Sequence, residues 1–435
     1  MAELFATPGQ DDDEKQEELH VMKDEEDEEG GVGSNHTLKL APITIVLKSE
    51  IFCLAYSADG RFLLACCGDG IVRVLNPTTG VVISVLVSKR ERSRNTYGKV
   101  EDGGSGASRK SSIRKTRSFS TLDNVELPCT CAAFRPHNKK GEKTNGVALI
   151  GYSHGEIQLW HVPSAKILHR QNVPPDEEDH LSSLRGLGED DDMEKRGASK
   201  RTSFHSRPQR EVDDEKSEMP IGVEVLCCAF SGDGEFFAVG ASDGVVRVYS
   251  DATRDLLVEL KPGMARGSGH SSRVFSVKFH PDDSNTLVSG GWDNCVHVWD
   301  VEKGITVTTV FGPHICGDAV GVFGRTIVTG SWRDDAQLEA WDMDSGKASA
   351  PLLERTREGG AFAARLGPQV FDFLDNKRLV GSLLGLSAGA ISLAFGPEGK
   401  QLAVGLANGQ VYLVDIETTD EVPQQSSGGR TIMVF

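Results

Sequence analysis

The sequence predicts an all-β fold, a closed ring of four-stranded antiparallel sheets, on three observations. A unit of short apolar strands and tight turns recurs at nearly constant spacing. The chain is rich in glycine, with 48 residues, and poor in aromatics, at 6%, which disfavours a coiled coil or helix bundle. The longest apolar runs, such as Val81 to Val87, reach about seven residues, against the roughly 20 that a membrane-spanning helix needs. At about 150 residues per domain, 435 residues suggest two to four domains, but large β architectures break that prior.

Each unit opens with a strand that ends in an aromatic and a polar turn. Examples are Tyr56-Ser57-Ala58-Asp59-Gly60, Phe134-Arg135-Pro136, Phe230-Ser231-Gly232-Asp233-Gly234, Phe279-His280-Pro281-Asp282 and Phe395-Gly396-Pro397-Glu398-Gly399. A second strand follows: Phe62 to Cys67, Val147 to Tyr152, Phe236 to Ala241, Thr286 to Gly290 and Gln401 to Gly405. A tight turn comes next, carrying Asp69, His154, Asp243, Asp293 or Asn408, and four of the five turns read Asp-Gly, His-Gly or Asn-Gly. Asp, Asn and Gly tolerate the positive φ that such hairpins require. The third strand places a bulky residue six positions after the turn residue: Leu75, Trp160, Tyr249, Trp299 and Val414, with Asp335 and Trp341 at the same offset. The aromatic-to-turn distance is 13 or 14 residues in four units and stretches to 20 where Asn138-Lys139-Lys140-Gly141 lengthens a hairpin. A further turn, such as Pro77-Thr78-Thr79-Gly80, leads to a fourth strand. Four-stranded antiparallel units in series are the signature of propeller blades.

These residues resemble the WD-repeat β-propeller family. The best copy is residues 269–300, with Gly269-His270, Ser289, Asp293, Trp299 and Asp300. The resemblance implies that His270, Ser289, Asp293 and Trp299 form a buried hydrogen-bonded tetrad, in which donor and acceptor groups satisfy one another. Residues 314–342 resemble a variant copy with His314, Thr329, Asp335 and Trp341, whose turn Ser331-Trp332-Arg333-Asp334 is about two residues longer than in the ~40–45-residue repeat. The other units keep the turn and lose parts of the tetrad: His154 replaces the Asp, Tyr249 and Leu75 replace the Trp, and Val239 takes the Ser position.

The spacing predicts seven blades, at 51–87, 127–171, 223–260, 273–311, 316–354, 361–385 and 389–416. Ile43 to Leu47 is apolar and β-branched and is expected to complete the last blade, closing the ring and removing exposed strand edges. The sixth blade is short. Ala361 to Leu366 reads as its inner strand and Gln369 to Phe373 and Arg378 to Leu384 as its outer two, leaving a three-stranded blade or one short of about 15 to 20 residues against the ~40–45-residue repeat, by deletion or by a faulty gene model.

Charge divides the chain. The formal net charge is −17, but residues 1–40 carry −10, residues 88–124 carry +6 and residues 172–220 carry −6. These stretches are poor in core-forming residues and cannot offset their ordering entropy. They are expected to be a disordered acidic tail and two disordered insertions in a propeller over 41–416, with 417–435 as a C-terminal tail. The N-terminus turns acidic at Asp11 with no apolar stretch before it, so no signal peptide is expected. The nine cysteines form no C-x-x-C pair and read as small buried hydrophobes in a reducing compartment. A metal or redox site at Cys129 and Cys131 is the sharper alternative and lacks a partner at a recognisable spacing.

No phosphate loop, H-E-x-x-H, G-x-S-x-G or EF-hand loop is present. His270, Ser289 and Asp293 have the residue types of a catalytic triad, but their spacing fits the structural tetrad. No catalytic residue, metal or cofactor is therefore expected. Trp292 and Trp332 sit beside turns and are candidate interface anchors, since Trp is enriched at binding hot spots; packing against the neighbouring blade is the commoner fate. Ser112, Ser118, Ser120 and Ser203 follow basic side chains and resemble substrates of basophilic kinases. Arg117-Ser118-Phe119-Ser120 also resembles the start of a 14-3-3 docking motif, with Leu122 where Pro is usual. Phosphate would add about −1.5 to −2 charge to a loop of net +6.

The expected function is a non-catalytic scaffold that binds proteins through its faces and loops, in the cytoplasm or nucleus. Nucleic acid binding is disfavoured by the negative charge and by the lack of aromatics among the basic residues. The alternatives are a ubiquitin-ligase substrate receptor and an enzyme using the central channel. The first is disfavoured because Trp299-Asp300 and Trp341-Asp342 lack the Trp-Asp-x-Arg pattern.

Overall fold

The computed structural model describes residues 20–22, 36–87, 127–137, 145–174, 223–263, 268–333, 336–349, 369–372, 378–418 and 432–434. The fold is an all-β propeller. The first blade is Ile51–Tyr56, Leu63–Cys67, Val72–Leu75 and Val82–Leu86, and the second is Cys129–Phe134, Val147–Tyr152, Glu156–His161 and Lys166–Asn172. The third runs over Val225–Phe230, Phe236–Ala241, Val246–Ser250 and Leu256–Leu260, and the fourth over Val274–His280, Asp283–Gly291, Cys295–Asp300 and Ile305–Phe311. The fifth has three strands, Val320–Phe323, Thr326–Gly330 and Leu338–Asp342. The last combines Ala390–Phe395, Gln401–Leu406 and Gln410–Thr418 with His36–Val46, which pairs antiparallel to Gln410–Thr418.

The described residues thus form six blades rather than the seven expected. The region assigned to the sixth repeat supplies only Gln369–Asp372 and Arg378–Leu384, which pair with each other. Two strands leave two free edges, and these pair with Ile432–Val434 and His20–Met22. The result is a composite sheet and not a blade of the repeating kind, because the hairpin that would complete it is absent from the sequence between 361 and 385. It lies beside His36–Val46, and Leu383 joins a buried cluster with Leu38, Val404 and Val414. Ala361 to Leu366 lies outside the described residues.

Inner strands of successive blades touch around the ring, from Ala390–Phe395 through Ile51–Tyr56 to Val320–Phe323. Five of them carry a register shift after their first residue, between Ile51 and Cys53, Cys129 and Cys131, Val225 and Cys227, Val274 and Ser276, and Ala390 and Ser392. Such bulges bend a strand and increase its twist. The small polar residue after each bulge reaches the next blade. Ser392 Oγ accepts from Leu54 N (2.9 Å), Cys53 Sγ from Ala132 N (3.3 Å), and Ser276 Oγ donates to Asp318 Oδ1 (2.8 Å). Between these seams the second strands are mostly buried, and Leu63–Cys67 and Val147–Tyr152 are buried throughout.

All nine cysteines are free. Burial pushes the thiols of Cys66, Cys129 and Cys227 upward, so they stay protonated and inert.

Candidate interaction face

The turns between second and third strands share one face of the ring with the connections that enter the inner strands. In the fourth blade Trp299 Nε1 donates to Ser289 Oγ at 2.7 Å, Ser289 Oγ lies 2.8 Å from His270 Nε2, and His270 Nδ1 lies 2.9 Å from Asp293 Oδ2. The Asp293 carboxylate also accepts from the backbone N–H groups of Ser271 and Cys295. Burial raises the Asp293 pKa, but the hydrogen bond and charge of His270 more than offset it, and the carboxyl lies below its ordinary range. Ser289 is enclosed and engaged by both Trp299 and His270, which makes it a strut between strands and not an exposed nucleophile.

The fifth blade builds half of this arrangement. Trp341 Nε1 donates to Thr329 Oγ1 at 2.9 Å. His314 does not join them; its Nδ1 lies 2.8 Å from Asn294 Oδ1 of the fourth blade. Asp335 lies outside the described residues.

The first and third blades hold their turns through the residue four positions after the turn residue. In the first blade Arg73 holds both oxygens of Asp69, at 3.0 and 2.6 Å. In the third, Arg247 holds both oxygens of Asp243, at 3.3 and 2.7 Å, and also meets Glu259 at 3.2 Å. In the second blade Gln158 occupies this position. Its Oε1 accepts from Trp160 Nε1 (2.7 Å) and Tyr152 OH (3.2 Å), and its Nε2 donates to Glu156 Oε1 (2.5 Å). Glu156 in turn meets Arg170 at 2.9 Å and His154 at 3.3 Å. In the last blade the exposed Asn408 binds Ser387 and Gln410 through its amide. The spacing of four was present in the sequence as a signal, since turn residue and partner are Asp and Arg in two blades.

Trp292 and Trp332 separate. Trp292 is stacked on His314 (6.4 Å between centroids), tilted against Phe275 (5.1 Å) and capped by the Arg273 guanidinium (5.8 Å), so it seals the joint between the fourth and fifth blades. Trp332 is 78% exposed on the same face. Elsewhere on that face a shallow, open depression lies between the last, first and second blades, lined by Lys48, Glu50, Phe52, Asp69, Pro128 and Asn408. Ser112, Ser118, Ser120 and Ser203 lie outside the described residues. Among the described residues no helix is long and apolar enough to cross a membrane.

The geometry defines a repeat propeller whose buried polar groups brace turns and whose turn face carries the exposed Trp332 and an open depression. The WD40 family model, described as WD domain, G-beta repeat, matches residues 43–76, 222–250 and 264–300. The chain thus carries three matched WD40 repeats within a β-propeller. It is 27% identical over 191 residues to the U3 small nucleolar RNA-associated protein 15 homolog of Xenopus tropicalis, covering 40% of this chain and 35% of that protein. It is 25% identical over 221 residues to the transcriptional corepressor LEUNIG_HOMOLOG of Arabidopsis thaliana (47% of this chain, 26% of that protein). It is 26% identical over 220 residues to the guanine nucleotide-binding protein subunit beta of Nicotiana tabacum (44% of this chain, 57% of that protein). The matched regions therefore span between 26 and 57% of the length of these relatives.

Proposed function

We propose that this protein is a non-catalytic scaffold that docks partner proteins on the turn face of its propeller. The observation that carries the reading is the highly exposed Trp332 on the face that also holds the open depression around Phe52 and Glu50. Aromatic anchors and concave, partly apolar pockets are what protein partners engage. Buried polar groups brace the blades, as with Ser289 and Arg247. The relatives' names point to assemblies of several kinds, nucleolar RNA-associated, corepressor and G-protein, and the common denominator is a binding role. Within this reading the propeller spans 41–416, the insertions 88–124 and 172–220 act as docking or regulatory arms, and phosphorylation of Ser112, Ser118, Ser120 or Ser203 tunes them. A 14-3-3-like reader would recognise phosphorylated Ser120. The protein would work in the cytoplasm or nucleus.

Proximity labelling with mass spectrometry tests this directly, comparing the wild-type chain with a Trp332→Ala/Phe52→Ala variant and scoring phosphosites in the same samples. A set of neighbours lost in the folded variant is expected. An identical set from both proteins would sink the assignment to this face.

A further inference from the structure

One edge of the composite sheet is only part-covered. Its strand Arg378–Leu384 runs over seven residues. His20–Met22 pairs with the last three alone, His20 opposite Leu384, Val21 opposite Leu383 and Met22 opposite Ser382. Gln369–Asp372 lies on the far side of Arg378–Leu384 and is itself covered at three of its four positions by Ile432–Val434. Among the described residues, therefore, no strand stands against Arg378–Gly381 on the side of His20–Met22. The cover that exists is weak. In the first four blades the outer strand follows its neighbour through a short turn, whereas His20–Met22 reaches Arg378–Leu384 from across the whole ring in sequence. Three residues form few hydrogen bonds, and the net gain scarcely exceeds the entropy of ordering them and closing so long a loop.

Carried onward, the register of His20–Met22 sets position 24 opposite Val380, 25 opposite Leu379 and 26 opposite Arg378. The chain offers six consecutive acids from there, Asp24 to Glu29. A carboxylate suits the position across from Arg378. Carboxylates across from Val380 and Leu379 do not suit, because acidic residues are poor strand formers and poor cross-strand partners of apolar ones. The chain's own acidic run is thus ill-matched to the edge that it leaves open. We propose that Arg378–Leu384 is a strand-addition site for an extended segment of a partner protein, apolar through its middle and acidic at its C-terminal end. His20–Met22 is the placeholder that this segment displaces. Main-chain hydrogen bonds along all seven positions supply the affinity, and the charge across from Arg378 sets direction and register. The site uses neither Trp332 nor Phe52, so it stands or falls independently of the turn face.

The test is fluorescence anisotropy of a labelled peptide, His-Val-Met-Val-Thr-Val-Glu, titrated with the full chain and with full-length Val21→Pro/Met22→Pro. Successive N–H groups of a strand point to opposite edges, so two adjacent prolines remove the placeholder's bonding whichever edge it uses. The double variant is expected to bind the peptide about 10-fold more tightly than wild type, because the edge is free more of the time. Equal affinities, or no binding to either protein, would overturn the proposal. Should the proline variant fail to fold, a charge swap decides. Arg378→Glu is expected to weaken binding of this peptide and to favour the same peptide ending in Lys, and indifference to the swap refutes the register. Sedimentation velocity covers the remaining occupant: a concentration-dependent dimer of the proline variant would give the edge to a second copy of this chain and refute the partner strand.

Discussion

Arg247 grips both carboxylate oxygens of Asp243 from a side chain with no solvent exposure, and so turns a surface hairpin into part of the third blade's core. A buried guanidinium is tolerated only while it is paired. Asp243→Ala is expected to cost about 3 kcal/mol, because it strands that charge with Glu259 as its remaining acidic partner. Adding Arg247→Met should recover most of the loss. A double-mutant cycle by urea denaturation checks this, and equal stability of the single and double variants would contradict it.

Gln158 joins Trp160, Tyr152 and Glu156 in one buried network. Gln158→Leu preserves the volume and removes every one of those bonds. The orphaned indole N–H and phenol should together cost about 2–3 kcal/mol. Chemical denaturation followed by tryptophan fluorescence measures it, and a cost near zero would mean that the network is not formed.

Acid should attack the same blade. Burial raises the Glu156 pKa, but hydrogen bonds from His154 and Gln158 and the charge of Arg170 outweigh it and hold the carboxyl below its ordinary 4.5. A depressed folded pKa contributes stability that is present above the unfolded value and lost as pH falls through the folded value. Melting temperature should therefore drop as pH falls below about 4.5, and Glu156→Gln, less stable at neutral pH, should show a shallower drop. Parallel acid limbs for the two proteins would argue against a role for this carboxylate.

The outer strand of the first blade, Val82–Leu86, exposes Val82, Ile83 and Val85, with Val81 and Val87 exposed at its ends. From Val81 to Val87 it carries no charged residue. Uncharged apolar edges invite strand pairing between molecules, and a lysine on the edge blocks it. Ile83→Lys is expected to leave the fold intact, with a stability change within about 0.5 kcal/mol, and to reduce self-association on concentration. Light scattering compares the two proteins; unchanged scattering would show that this edge is not the adhesive one.

Register was the most legible property of the chain. The recurring spacing from the strand-end aromatic to the turn, lengthened in the second blade, placed the four strands of the first four blades. The β-branched run at Ile43 marked the strand that completes the last blade, and Trp299, Ser289, His270 and Asp293 were readable as one set. These signals are local or periodic, and hydrophobic alternation writes them into the sequence. The number of blades was not legible, because a repeat that lacks a hairpin gives no instruction about what covers its free edges. Only tertiary pairing brought His20–Met22 and Ile432–Val434 to Gln369–Asp372 and Arg378–Leu384. The two tryptophans looked alike in sequence, yet Trp292 is sealed by Phe275, His314 and Arg273 while Trp332 stands in solvent. The partner of each turn residue was likewise decided in space. A side chain four positions on can fold back across the turn, as Arg73 and Arg247 do, or stay on its own strand and pair there, as Gln158 does. The sequence by itself determined an all-β repeat, its register and the residue set of the fourth blade's tetrad. Tertiary structure decided the sheet count, the exposed face and the bracing of each turn, because these depend on which groups desolvate together.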